Sequence, residues 1–340
     1  MDTGCLHLAL RWFWSAGVAS TLGDDRATLV HRALPTRRTY EEDAVSHTGP
    51  PGDGTLRLGT RRFPPGTFAV MAIVNRTPDS FYDRGATFTL EAALERIDTA
   101  LTEGADIIDI GGVRAGYGEP VSEAEEIDRT VDLVLATRER HPAAVISIDT
   151  FRAPVADAVC RAGADLVNDT WAGADPELAA VATRNQVGLV CSHTGGLPPR
   201  TDPHRVAYDD VVDAVVTATT QLADKALAAG VRPDGLIVDP THDFGKNTYH
   251  SLAVTRRLAT LVATGWPVLV SVSRKDFVGE TLDLPAGERL SGTLAATAVS
   301  AWQGARVFRA HDVAATRQVL DMVAAIRGDR PPAAPRRGLV

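Results

Sequence analysis

Eight times between residues 68 and 327 a short, continuous run of β-branched and aliphatic residues gives way to a longer amphipathic segment, and few folds accept that order. The short runs cover 68–74, 107–110, 145–148, 166–167, 188–190, 236–238, 268–272 and 306–308. They lack the alternation of a half-exposed strand, which predicts parallel strands covered on both faces. The segments that follow them, 90–103, 122–141, 153–162, 176–185, 209–229, 251–264, 288–303 and 313–327, carry the helical period. Several close on a glycine, at Gly104, Gly163, Gly230 and Gly304, where a left-handed residue stops a helix. Eight strand–helix units predict an α/β chain folded as a single (β/α)8 TIM barrel, a domain of roughly 250 residues. An open doubly wound sheet is the weaker reading, because no glycine-rich nucleotide loop follows the first strand.

The runs end in polar groups. MAIVNRTPDSF breaks at Asn75 into a loop carrying Thr77, Pro78, Asp79 and Ser80, VISIDT stops at Asp149, LVNDT at Asn168 and Asp169, and GLIVDP at Asp239. VLVSVSRK ends at Arg274 and Lys275, and ARVFRAHD at Arg309, His311 and Asp312. In a barrel these positions converge on the carboxyl-end face, where the chemistry of such folds sits. Asp109, Asp149, Asn168 and Asp239 suit a flat heterocycle with several N–H donors, since buried carboxylates need matched donors. Lys275, Arg309 and His311 add donors for a ring carbonyl and a diphosphate. Each residue also has a plainer reading. Asp149 and Asp169 can cap the next helix, His311 can be a surface histidine and Lys246 a solvated loop lysine, while His193 beside Cys191 lacks the spacing of a metal site. His204, His242 and His250 read as loop residues.

The remaining composition narrows the class. A net charge of −8 opposes bulk binding to nucleic acid or anionic membrane. Cys5, Cys160 and Cys191 share no CxxC spacing, so neither a disulfide framework nor a cysteine-rich zinc site is indicated and a reducing cytoplasm is the simplest setting. The apolar stretch CLHLALRWFWSAGVAS is interrupted by Arg11 and lacks a basic flank, and it reads as part of an extension rather than a signal peptide or membrane span. The division expected is therefore an extension of low structure over 1–66, the barrel over 67–328 and a disordered tail over 329–340.

Taken in order, IVNRTPDSF, ADIIDIGG, ISIDT, LVNDT, IVDPTHDFGK, VSRK and RAHDV resemble the signatures of the dihydropteroate synthase family, a match that spans nearly the whole expected barrel. That resemblance implies a (β/α)8 barrel, usually a homodimer, that condenses 6-hydroxymethyl-7,8-dihydropterin diphosphate with p-aminobenzoate and releases diphosphate. It implies that Asp109, Asp149, Asn168, Asp239 and Lys275 hold the pterin, that Arg274 stacks along it, and that Arg309 and His311 grip the diphosphate. Asn75 would bind Mg²⁺ and diphosphate, and Asp79 would lie in a mobile loop. Asn75, Lys275, Arg309 and His311 would thus carry the catalysis, with Mg²⁺ and cations stabilising the departing oxygens.

The chain departs from the family where the second substrate sits. Val113, Arg114, Ala115, Gly116, Tyr117 and Gly118 stand where the family has Glu-Ser-Thr-Arg-Pro-Gly, so the loop Thr and Arg become Ala115 and Gly116. Asp276 stands where a serine follows the pterin lysine, Ser192 replaces the Met before the fifth motif's His, and Thr194-Gly195 replaces that His's other neighbours. Three readings follow: a working dihydropteroate synthase transferase, a diverged paralogue that binds pterin with little or no synthase activity or with another aromatic amine, and a folate-dependent corrinoid methyltransferase. The first is the leading expectation, held evenly with the second.

Overall fold

The computed structural model describes residues 52–77, 89–114, 116, 118–201 and 206–337. Two short strands come first, β1 (Leu56–Leu58) and β2 (Arg61–Phe63), paired antiparallel. Eight parallel strands follow: β3 (Ala69–Asn75), β4 (Ile107–Gly111), β5 (Val145–Asp149), β6 (Leu166–Asn168), β7 (Gly188–Ser192), β8 (Leu236–Asp239), β9 (Leu269–Val270) and β10 (Val307–Ala310). Their spatial order is β8-β7-β6-β5-β4-β3-β10-β9. A parallel bridge between Val238 and Val268 closes the seam, with the Val238 N–H donating to the Pro267 carbonyl at 2.9 Å. The chain therefore folds as the expected TIM barrel.

The helices are α1 (Leu90–Thr102), α2 (Glu123–Arg140), α3 (Ala153–Ala162), α4 (Leu178–Asn185), α5 (Val211–Ala228), α6 (Thr248–Arg256), α7 (Leu258–Val262), α8 (Asp276–Leu282), α9 (Leu290–Trp302) and α10 (Val313–Arg327). Thr89, Ser122 and Asp210 cap α1, α2 and α5 through their side-chain oxygens. Two features escape the sequence pattern. The expected helix over 251–264 breaks at Arg257 into α6 and α7, and the seven-residue α8 is too short to show a period. None of the described helices is long and apolar enough to cross a membrane.

Strand alternation sorts the interior into layers. Met71, Ile107, Val145, Leu166, Val190, Ile237, Leu269 and Val307, one from each barrel strand, form a dry floor. Two residues further along each strand stand Ile73, Asp109, Ser147, Asn168, Ser192, Asp239, Ser271 and Arg309, a layer almost wholly polar. The floor is sealed from below by Leu56, Leu58 and Phe63 of the β1–β2 hairpin. Arg306 fastens that hairpin, donating to the Gly54 carbonyl at 2.6 Å and the Phe63 carbonyl at 2.5 Å.

This corrects the reading of 52–66 as low structure. Its three apolar side chains are too short a run to register as a strand pattern, yet they complete the barrel core. Residues 1–51 lie outside the described residues, and 329–337 form no helix or strand. Leu58 is fully buried, so Leu58→Ala is expected to lower unfolding free energy by about 2–5 kcal/mol in urea denaturation. An unchanged midpoint would show that the hairpin is dispensable to the core.

Candidate functional site

Above the polar layer opens a cavity of about 680 Å³, bordered by Asn75, Asp149, Trp171, Phe244, Lys275 and Arg309 among others. Arg274, His311, Gly116 and Asp276 border it as well. Asp109, Asn168 and Asp239 lie deeper, 0–2% exposed. Asp79 and Ala115 are outside the described residues. The strand ends thus bring the remaining expected site residues to one face, as the barrel's geometry requires.

Arg309 joins the acids. Its Nε donates to Asp109 Oδ2 at 2.6 Å and its Nη2 to Asp149 Oδ2 at 2.8 Å. Asn168 Nδ2 adds bonds to Asp109 at 3.1 and 3.3 Å, and Thr170 Oγ1 donates to Asp149 Oδ1 at 3.2 Å. Burial opposes the guanidinium's charge, but Asp109 and Asp149 more than offset it and hold Arg309 firmly protonated. Burial also pushes Asp149 up to about 7, against the pull of Arg309 and with the push of Asp109. Asp239 is raised by burial, partly relieved by Lys275, and accepts from the Thr241 N–H at 2.7 Å.

Lys275 is lowered by burial; its Nζ donates to the His242 carbonyl at 2.5 Å and lies 4.9 Å over the Phe244 ring. His311 is pushed down to about 3 by burial and then by Arg309, so it is a neutral imidazole, with Nδ1 3.0 Å from Ser273 Oγ. A neutral ring donates hydrogen bonds to phosphate without adding charge. Arg274, expected along the ring, is held by Asp312 through two bonds of 2.9 Å and by the Ala286 and Gly287 carbonyls. It adopts a left-handed φ of 55°. Asn75 Oδ1 sits 3.0 Å from where a Cβ on Gly111 would stand, an approach that glycine permits.

The rim next to Lys275 differs most from expectation. Asp276, at the cavity's mouth, is 75% exposed and pairs with Arg289 at 2.7 Å, so its charge is neither bare nor buried. The carboxylate that matters there is Asp243, which the motif alone did not single out. Its Oδ2 accepts the N–H groups of Asp276 and Phe277 at 2.7 and 3.3 Å, the two donors at the start of α8. Asp243 has φ 70°, a conformation that favours glycine.

Several other plain readings also change. Asp169 does not cap a helix; it accepts from the Trp171 and Gly173 N–H groups and shapes a turn. Lys246 is not a solvated loop residue: its Nζ is buried and donates to the His193, Thr241 and Phe244 carbonyls at 2.9–3.1 Å. Ser271 and Ser273 were findable from alternation with Lys275, whereas Trp171, Phe244 and Asp243 sit on loops whose direction no period reveals.

Asp149 binds its proton more tightly in the fold than at its ordinary value of 3.8, so its contribution to stability is full below about pH 4 and is lost as pH rises through 7. Asp149→Asn is accordingly expected to match or exceed wild-type Tm at pH 8 and to lose that advantage near pH 5. A clearly lower Tm at pH 8 would mean that the Arg309 pair outweighs burial.

Residues 71–311 match the family described as pterin binding enzyme. The chain is 56% identical over 274 residues to the inactive dihydropteroate synthase 2 of Mycobacterium tuberculosis, covering 79% of this chain and 86% of the relative. It is 36% identical over 252 residues to the dihydropteroate synthase of Haemophilus influenzae, covering 74% and 91%. The Yersinia pestis dihydropteroate synthase, solved with a sulfonamide drug complex, superposes with a TM-score of 0.77 at 33% identity, over 81% of this chain and all of that one. The expectation of a working transferase that condenses p-aminobenzoate is overturned here: relatives at 56–57% identity bear the name inactive synthase.

Proposed function

This chain belongs to the pterin-binding dihydropteroate synthase family, and we propose that it is a diverged paralogue that binds a pterin without performing the condensation with p-aminobenzoate. The observation that carries this reading is Asp243. Its carboxylate takes the two α8 amide donors next to Lys275, so an incoming carboxylate finds those donors used and a like charge in their place. At a few ångströms that repulsion costs on the order of 1 to 4 kcal/mol. Asp276 adds a second negative charge, muted by Arg289 and by solvent. In the second loop, Gly116 offers no side chain to close over an amine.

The pterin half keeps its donors and acceptors. Asp109, Asp149, Asn168 and Asp239 face the N–H groups of the heterocycle, Lys275 its carbonyl, and Arg309 with His311 the diphosphate. Among the described residues no group of three or more His, Cys, Asp or Glu side chains could hold a metal ion. Mg²⁺ would therefore come with the diphosphate, whose charge it screens, and Asn75 would supply a single oxygen; such shared ligation is usual for this ion.

Titration calorimetry with 6-hydroxymethyl-7,8-dihydropterin diphosphate and Mg²⁺ should register binding, and Asp149→Ala or Asn168→Ala should weaken it at least about tenfold. Wild type should form no dihydropteroate from p-aminobenzoate, while Asp243→Gly combined with Asp276→Ser should gain affinity for that amine. Robust wild-type turnover would refute the reading.

Assembly as a homodimer belongs to the same proposal. Helix α9 buries Thr293, Thr297 and Ser300 against the barrel and leaves Val299 and Trp302 48% and 59% exposed. The adjoining α10 exposes Met322 and Ile326 to a similar degree. Apolar groups on the outer faces of two packed helices suit a second copy of the chain. Val299→Lys with Trp302→Glu is expected to convert a dimer to a monomer by sedimentation, and a monomeric wild type would end the assignment.

A further inference from the structure

Trp171 is the part of the cavity wall that the roles above leave without a task. It is 4% exposed, and its indole Nε1 is buried with no hydrogen-bond partner among the described residues. A buried indole N–H ordinarily finds an acceptor, and one that does not calls for a reason. The acceptor Asn168 Oδ1, three residues earlier at the end of β6, is likewise buried and unpartnered.

The turn that carries the ring is firmly held. Asp169 accepts from the Trp171 N–H at 2.9 Å and from the Gly173 N–H at 2.6 Å, closing the turn at both ends. Between them Ala172 takes a left-handed φ of 57°, and its N–H donates to Ser192 Oγ at 2.9 Å. A non-glycine residue keeps such a conformation only where its surroundings enforce it. Ser192 also matters by its type: a hydroxyl at that strand end reaches the Ala172 amide, which a thioether could not satisfy as well. The indole then meets the Phe244 ring edge-on, with centroids 5.2 Å apart, and Phe244 carries Lys275 Nζ above its face. Phe244 thus stands between the indole and the Lys275 ammonium.

We propose that Trp171 is a ligand-contacting, specificity-determining residue whose indole N–H donates to an oxygen or a hydrogen-free ring nitrogen of the bound heterocycle, an inference that rests on the pterin reading above. The wall selects a heterocycle that offers acceptors along this edge and its N–H donors toward the carboxylates. Flat rings lacking such an acceptor lose the bond and leave the indole unsatisfied.

The test uses the full chain, 6-hydroxymethyl-7,8-dihydropterin diphosphate and Mg²⁺. Trp171→Phe keeps an aromatic wall and removes only the donor; it should weaken binding roughly 3- to 10-fold with little change in Tm. In the wild type labelled with ¹⁵N at its five tryptophans, one indole N–H signal should move downfield on binding, and that signal should be missing from Trp171→Phe. Binding that leaves every indole signal in place, or equal affinity in a folded Trp171→Phe, overturns this inference and spares the pterin reading. A wild type that does not bind the pterin overturns that reading itself, and this inference with it.

Discussion

Arg309 is the counter-charge on which the upper half of the barrel depends. Strand alternation forces Asp109 and Asp149 into the interior from neighbouring strands, and a single guanidinium from β10 reaches both. Removing the guanidinium would cost roughly 3–5 kcal/mol, because the two carboxylates left behind have neither water nor a counter-ion. The price of that arrangement is visible in Asp149, which burial drives up to about 7 in spite of Arg309. A ligand that brings its own N–H donors to these acids relieves the same strain, so the pocket's electrostatics favour occupancy by a donor-rich heterocycle.

Below this layer the floor is dry, and above it the rim is self-contained. The floor needs the β1–β2 hairpin because eight inward apolar side chains would otherwise face solvent at the amino-terminal mouth. At the rim, donors that an anionic second substrate would use are taken inside the chain: the α8 amides by Asp243, Arg289 by Asp276 and Arg274 by Asp312. On the proposed reading, the p-aminobenzoate reaction is lost through satisfied donors as much as through missing ones. A binding site can be closed to one class of ligand without changing the fold that carries it.

The strand ends were legible because a closed parallel barrel leaves no choice about where they go. Asp109, Asn168, Asp239 and Arg309 stand on the carboxyl-end face to which their strand-end positions point, and Ser271 and Ser273, which the sequence reading did not name, alternate with Lys275 on the same side. The loops were another matter. Asp276 stands in place of a serine, but its charge is turned to solvent and paired with Arg289, and Lys246 reads as solvated although three carbonyls enclose it. Asp243 carries no signal within its motif because its effect depends on a left-handed backbone and on a helix start thirty-three residues away.

The amino-acid order by itself determined the barrel, the face that carries the polar groups and their suitability for a heterocycle, since those follow from periodicity and from side-chain chemistry. Tertiary structure alone decided which donors are already taken, which acids share Arg309, and which way Trp171 and Asp276 turn. The physical reason is that hydrogen-bond satisfaction and charge pairing depend on distances of a few ångströms between segments far apart in the chain, and no local pattern encodes them.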